Sequence, residues 1–387
     1  MNELKILLSG AAIAASLVSC GNNVSDKSAH VAQSNHADSM LYMFTGSYSE
    51  ADKEGIGVYI FNQDDASYHR LGGMSGVSNP SYLIPYGKDI YSVGEDEGQT
   101  STLNHLTFAP ADSTGMLNLC ESLPTGGGAP CFINVSPDGR FVLTANYFGG
   151  NITIGRRDTS GTLQANPVVI SFPPASHPTE TGGEPRLHSV NFTPDGSRLI
   201  AADLGTDRLH IFPLIAGADS LVNPADVTRL EMHSGMGPRH MDFSADGRFA
   251  YVLGELSGEI AVLSLADNCV KQYIQADTVG GHGSADIHLS PDGRYLYASN
   301  RLKNDGIAIF SVDSVSGKLT EAGYQTTGIH PRNFAITPNG KWLLAACRDS
   351  DAIEIYARDL SSGQLSPTGR TISVSRPVCV RFAVPAN

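Results

Sequence analysis

At 387 residues the chain can bury a sizeable core, and its 41 Gly and 21 Pro, with few long helical periodicities, point to short strands and tight turns. A formal net charge of −13, with no basic patch or run of Lys and Arg, argues against a nucleic-acid partner.

In chain order, Lys5 precedes an apolar run from Ile6 to Val18, shorter than a bilayer-spanning helix requires. The run ends at Leu17-Val18-Ser19-Cys20, which resembles a bacterial lipobox. Residues 1–20 therefore read as a lipoprotein signal peptide, with Cys20 as the lipidated new first residue. Residues 21–40, rich in Ser, Asn, Asp and His, read as a flexible tether. No later stretch has the length and apolarity of a membrane helix. The expected address is export to the periplasm or the outer membrane, with the lipid anchor as the only membrane contact. Cys120, Cys131, Cys269, Cys347 and Cys379 form no Cys-x-x-Cys pair and read as ordinary residues of strands, with one disulfide left open in an oxidising compartment.

From residue 41 to 387 a hairpin unit recurs. NPSYLIPYGKDIYSVGE, PCFINVSPDGRFVLTANY, LHSVNFTPDGSRLIAADL, GPRHMDFSADGRFAYVLGE, SADIHLSPDGRYLYASNR and PRNFAITPNGKWLLAACR centre on Gly87, Gly139, Gly196, Gly247, Gly293 and Gly340. Asp-Gly between alternating apolar runs marks a hairpin turn, because Gly accepts the positive φ there. A period of roughly fifty residues with several short strands per unit is a β-propeller signature. Third strands follow, as at Glu259–Leu263 and Ala352–Ala357, and a less regular fourth completes each unit. A seventh hairpin is split: RPVCVRFAVPAN supplies a first strand at one end and YMFTGSY a second strand at the other. The expected fold is all-β, a seven-bladed propeller of four-stranded blades closed by pairing of the N- and C-terminal strands.

Strands of equal length return to one level, so residues eight before and eight after each turn glycine should gather at one mouth of the channel. Those before are Cys131, His188, Arg239, Ala285 and Arg332. Those after are Glu95, Tyr147, Leu204, Glu255, Arg301 and Arg348, with Tyr48 in the split unit. His240, Asp286, Asn300, His330, Asn333 and Arg376 belong to the same level. The set differs from unit to unit, whereas a purely structural repeat would reuse one residue type. Arginines recognise carboxylate or phosphate, and a Glu or His takes a proton from water while nearby cations hold a developing oxyanion. His188, Arg239, Glu255 and Arg301 are the candidate catalytic residues; His240, Asp286, His288, Arg332 and Arg376 are the candidate substrate-binding ones. Asp286 and His288 share a strand face with His282 nearby, but no compact zinc-type spacing exists and an arginine-rich mouth opposes a cation. No metal and no cofactor are expected.

FTGSY, PSYL, VSPDGRFVLTANY, HSVNFTPDG with ADLGTDR, GPRHMDF with GELS, ADIHLSPDGRYLYASNR, HPRNFAITPNG and RPVCVRF together resemble the seven-bladed propeller lactonases. That family holds bacterial 6-phosphogluconolactonases and fungal carboxymuconate cyclases, and the resemblance runs from Tyr42 to Phe382. It implies that the cyclase branch's histidine, two arginines and glutamate fall on His188, Arg239, Arg301 and Glu255. Two motifs depart from the family: Arg186 stands where PHAHSV has its first histidine, and Phe132 where PCHV has one. The resemblance implies hydrolysis of a small anionic sugar-acid lactone. A non-catalytic propeller that binds an anionic sugar or a protein, and a cyclase-type isomerase, are the alternatives. Oligomeric state is left open.

Overall fold

The computed structural model describes residues 39–110, 116–176, 179, 181–217 and 219–384. The signal peptide, Cys20 and nearly all of the tether lie outside them. Seven four-stranded antiparallel sheets surround one axis, so fold and blade count are as the repeat implies. Blades 2 to 7 follow the chain, each running from its inner strand outward. Their inner strands are Leu83–Tyr86, Pro130–Val135, Leu187–Phe192, Pro238–Phe243, Ile287–Leu289 and Pro331–Ile336. Blade 1 joins the ends: Pro377–Ala383 is its inner strand and pairs with Met40–Ser47 in the register Tyr42 to Ala383, Phe44 to Arg381 and Gly46 to Cys379. This pairing gives Met40–Ser47 a partner on both sides and closes the ring without a covalent link.

Second strands such as Phe141–Asn146 and Phe249–Gly254 are buried along their whole length, because both faces of a blade pack on neighbouring blades. Outer strands such as Leu117–Pro124 carry only exposed and half-buried side chains. Truncating a buried leucine of a second strand, such as Leu253, costs about 2–5 kcal/mol through lost burial and the cavity left behind.

The hairpin turns share one chemistry. Gly139 has φ 69° and donates its N–H to Ser136 O at 2.8 Å. Ser136 Oγ donates to Asp138 Oδ1 at 2.6 Å and accepts from the Phe141 N–H at 3.0 Å. Thr193 with Asp195, Ser244 with Asp246, Ser290 with Asp292 and Thr337 with Asn339 repeat the hydroxyl contact. Side-chain turns of this kind explain the recurrent Ser/Thr-x-Asp/Asn-Gly.

The feature that makes the site lies at the other end of each inner strand. In blade 5, Pro238 pairs with Gly254 and His240 with Leu253, so Arg239 is an extra residue without a ladder partner. The same register shift falls at Cys131, His188 and Arg332 in blades 3, 4 and 7, and at Val378 in blade 1. A β-bulge of this kind bends the strand and re-aims one side chain. The residue before each proline that opens an inner strand also turns left-handed: Ala129 (φ 51°), Gly237 (61°), His330 (61°) and Arg376 (42°). For the non-glycine members this is backbone strain gathered at one end of the channel.

Candidate active site

Bulge and hairpin together place Arg239 beside Glu255. The Arg239 Nε–H donates to Glu255 Oε2 at 2.6 Å. Arg301 from blade 6 brings Nη2 to 3.3 Å of the same oxygen, and His188 from blade 4 brings Nε2 to 3.8 Å. Three side chains from three blades thus converge on one carboxylate oxygen. The Glu255 backbone is pinned too, its N–H donating to Gly237 O at 2.8 Å. Its side chain is 21% exposed, whereas those of Arg239, Arg301 and His188 are 1%, 5% and 4% exposed, so Glu255 is the member that meets solvent.

The remaining donors of both arginines are largely committed to backbone. Arg239 Nη1 donates to Ala285 O and faces His240 Nε2 at 3.3 Å. Arg301 Nε donates to Gly283 O at 2.7 Å, and its Nη1 faces His330 Nε2 at 3.3 Å. Fixed forks of this kind cost little reorganisation when an anion arrives. His188 has its edge toward Tyr147, with centroids 5.6 Å apart, and Cys131 Sγ lies 3.5 Å from its Nδ1.

Below this level the channel is plugged. Tyr82, Phe132 and His240 form a mutual ring cluster with centroid separations of 4.5, 5.3 and 5.8 Å. Phe132, one of the two residues that depart from the family pattern, is part of that plug. Behind it lies a cavity of about 200 Å³ that includes Asp242, Asp286, His288 and Arg381 in its lining. His240 Nδ1 lies 2.7 Å from Asp286 Oδ1. The other Asp286 oxygen receives His288 Nε2 at 2.9 Å, Asn333 Nδ2 and the Phe334 N–H at 3.2 Å. Asp286 and His288 therefore belong to the level beneath the plug, not to the level of Glu255.

On the opposite side of the mouth Tyr48 donates to both Glu95 oxygens, at 2.9 and 3.1 Å, and Ser81 adds its hydroxyl. Arg332 lies 3.8 Å from Glu95, and the guanidinium groups of Arg332 and Arg376 lie 5.4 and 5.6 Å from the centre of the Tyr48 ring. Arg348 turns aside to pair with Asp349 at 2.7 Å. Arg186 stacks over Tyr147 and Phe148 at 5.2 and 5.5 Å, and so takes part in the rim. Ser81 and the Tyr82–Arg381 stack (4.5 Å) were missed by counting from turn glycines, because blade 2 starts its inner strand later than the others. The PSYL motif was the available signal.

Burial would push the Glu255 carboxyl up, but Arg301, Arg239 and Arg332 outweigh it and hold the group below its ordinary range, so it is ionised at neutral pH. Burial, reinforced by Arg239, His240 and Arg332, holds His188 well below the ordinary imidazole value. Burial and the neighbouring arginines likewise push His240 and His330 down to about 3. Burial lowers Arg301 to about 9 against the opposing pull of Glu255. For Asp286, burial pushes up, yet His288 and His240 overcome it and the carboxyl falls well below its ordinary range. Burial lowers His288, but Asp286 raises it further, so those two form an ion pair.

Among the described residues, no group of three or more His, Cys, Asp or Glu side chains is placed to hold a metal ion. No helix among them is long and apolar enough to cross a membrane.

Residues 42–382 match the family model described as "Lactonase, 7-bladed beta-propeller". A 6-phosphogluconolactonase of Formosa agariphila is 32% identical over 343 residues, which span 86% of this chain and 97% of that protein. A crystal structure from Bacteroides fragilis, provisionally assigned as a 6-phosphogluconolactonase, is 42% identical with a TM-score of 0.84, covering 90% of this chain and 99% of its own. The periplasmic gluconolactonase of Pseudomonas aeruginosa is 32% identical with a TM-score of 0.81, covering 90% and 100%.

Proposed function

Because the chain belongs to the seven-bladed β-propeller lactonase family, we propose that it hydrolyses a sugar-acid lactone, without a metal, at the mouth closed below by Tyr82, Phe132 and His240. The observation that carries this reading is the convergence of Arg239, Arg301 and His188 on the partly exposed Glu255 carboxylate. Neutral His188 takes a proton from water at Nε2 as the water oxygen attacks the lactone carbonyl carbon. The imidazolium so formed faces Glu255, whose negative charge offsets it. Arg239 and Arg301 hold the oxyanion of the tetrahedral intermediate, the ring C–O bond then breaks, and His188 returns the proton to the leaving ring oxygen. The product is the open hydroxy acid. Arg332 and Arg376, stacked on Tyr48, hold the substrate's phosphate or carboxylate.

We place this chemistry outside the inner membrane, a reading supported by the leader-like segment ending at Cys20 and by the periplasmic relative from Pseudomonas aeruginosa. The test is proton release during hydrolysis of 6-phosphogluconolactone and of glucono-1,5-lactone by the purified full chain. Turnover of at least one is expected, with Glu255→Gln and Arg239→Ala lowering kcat on the order of 10²-fold or more. Saturable binding of a sugar acid with no turnover of either lactone would sink the enzymatic reading.

A further inference from the structure

We propose that Asp286, acting through His240, is a positioning residue that holds the Arg239 guanidinium in its working orientation. This rests on the role given to Arg239 above.

Asp286 is 1% exposed and surrounded by donors: His288 Nε2, Asn333 Nδ2 and the Phe334 N–H take one oxygen, and His240 Nδ1 the other. An ionised carboxylate only accepts hydrogen bonds. At 2.7 Å, His240 Nδ1 must therefore carry the proton, and the lone pair of neutral His240 sits on Nε2. That lone pair faces Arg239 Nη1 at 3.3 Å. With Nη1 held by His240 and Ala285 O, and Nε held by Glu255, both committed nitrogens are fixed in a plane. Nη2 is left for a ligand.

Blade 7 repeats the pattern: Arg301 Nη1 faces His330 Nε2 at 3.3 Å, and His330 Nδ1 lies 3.5 Å from Asp349. There the carboxylate is 42% exposed and already paired with Arg348, so it constrains its histidine less. Two Arg–His–Asp chains thus flank Glu255. Only the one ending on Asp286 is closed to water.

Replacing Asp286 by Asn keeps the volume but offers an N–H to His240 Nδ1. The imidazole proton then moves to Nε2, and two donors confront each other across the Arg239 contact. The experiment uses the full chain, with both lactones named above as probes, and ¹⁵N-labelled histidine. Wild type should show His240 protonated on Nδ1, and Asp286→Asn should move that proton to Nε2. The kcat should fall about 10–10²-fold, the range expected for a displaced reacting group, with KM within about threefold. Asp349→Asn should change kcat less than Asp286→Asn. His240→Gln, which offers an acceptor near the Nε2 position, should retain more activity than His240→Phe. Lactone turnover undiminished in Arg239→Ala would refute the role of Arg239 itself. Loss in Arg239→Ala with wild-type kcat in Asp286→Asn, or a wild-type His240 protonated on Nε2, would overturn this inference alone. If neither lactone is turned over, the tautomer spectra still decide it.

Discussion

Replacing Glu255 by Gln removes one negative charge and leaves its shape in place. Arg239 and Arg301, at 2.6 and 3.3 Å from Oε2, are almost wholly buried and lose their common counterion. At an effective dielectric of about 20, each contact is worth on the order of 5 kcal/mol before desolvation. Desolvation was already suffered on folding, so breaking the group by removing one partner should cost about 3–5 kcal/mol in stability. In a chain of this size that is a fall in Tm of about 4–7 °C, readable by differential scanning fluorimetry. The variant should also gain something. With the carboxylate gone, the two cations form an anion site, so inorganic phosphate should raise the Tm of Glu255→Gln more than that of wild type. Phosphate at a hundred times its Kd would return about 2.7 kcal/mol. A Tm within 2 °C of wild type, together with equal phosphate shifts in both proteins, would refute the claim that Glu255 is the shared counterion.

Three further outcomes are expected. A Cβ on Gly254 would come within 2.5 Å of Met236 O, so Gly254→Ala should shift the neighbouring Glu255 and lower kcat; the idea fails if kcat and Tm both match wild type. His240 and His330 sit at about 3 in the folded chain against about 6.5 unfolded, so the unfolded state binds more protons as pH falls. Stability should thus drop by about 1.4 kcal/mol per pH unit for each below 6.5, reinforced at lower pH by Glu255 and Asp286; raised His288 acts oppositely, losing its contribution as pH rises. Urea midpoints that stay flat from pH 7.5 to 5 would contradict this. Cys20→Ala should move the protein from the membrane to the soluble fraction on cell fractionation, and continued sedimentation with membranes would speak against lipidation at Cys20.

The ring was legible because its instructions are local. Asp138-Gly139 and its counterparts specify hairpins, their spacing specifies blades, and the half-hairpins at the two ends specify closure. Counting from those turns also found Arg239 opposite Glu255, since antiparallel strands preserve level. What the count could not see was the bulge. Nothing in Gly237-Pro238-Arg239-His240 shows that Arg239 leaves the ladder, because the extra residue is defined only by its pairing with Gly254 and Leu253. That single residue flips the alternation. Arg239 turns toward Glu255 and His240 becomes part of the plug, where it meets Asp286 just ahead of the neighbouring inner strand; Asp286 and His288 sit one level deeper than the sequence alone suggests. Arg186 was visible only as a departure from a motif; its stacking on Tyr147 and Phe148 depends on two different loops meeting.

The bulge also accounts for how unlike residues can stand at equivalent places in a repeated fold. A residue inside a ladder is constrained by its cross-strand neighbour, so changing it perturbs pairing and packing together. Cys131, His188, Arg239, Arg332 and Val378 occupy the one position per inner strand that has no such neighbour. Substitution there leaves the ladder hydrogen bonds of the blade intact and alters mainly what projects into the mouth. Blades 3 and 4 illustrate the consequence. Cys131 and His188 lie side by side at 3.5 Å, yet one is a thiol that burial holds neutral and the other a neutral imidazole aimed at a carboxylate. The propeller therefore separates two tasks that most folds entangle: the turns and second strands hold the ring, while the bulged residues choose the chemistry.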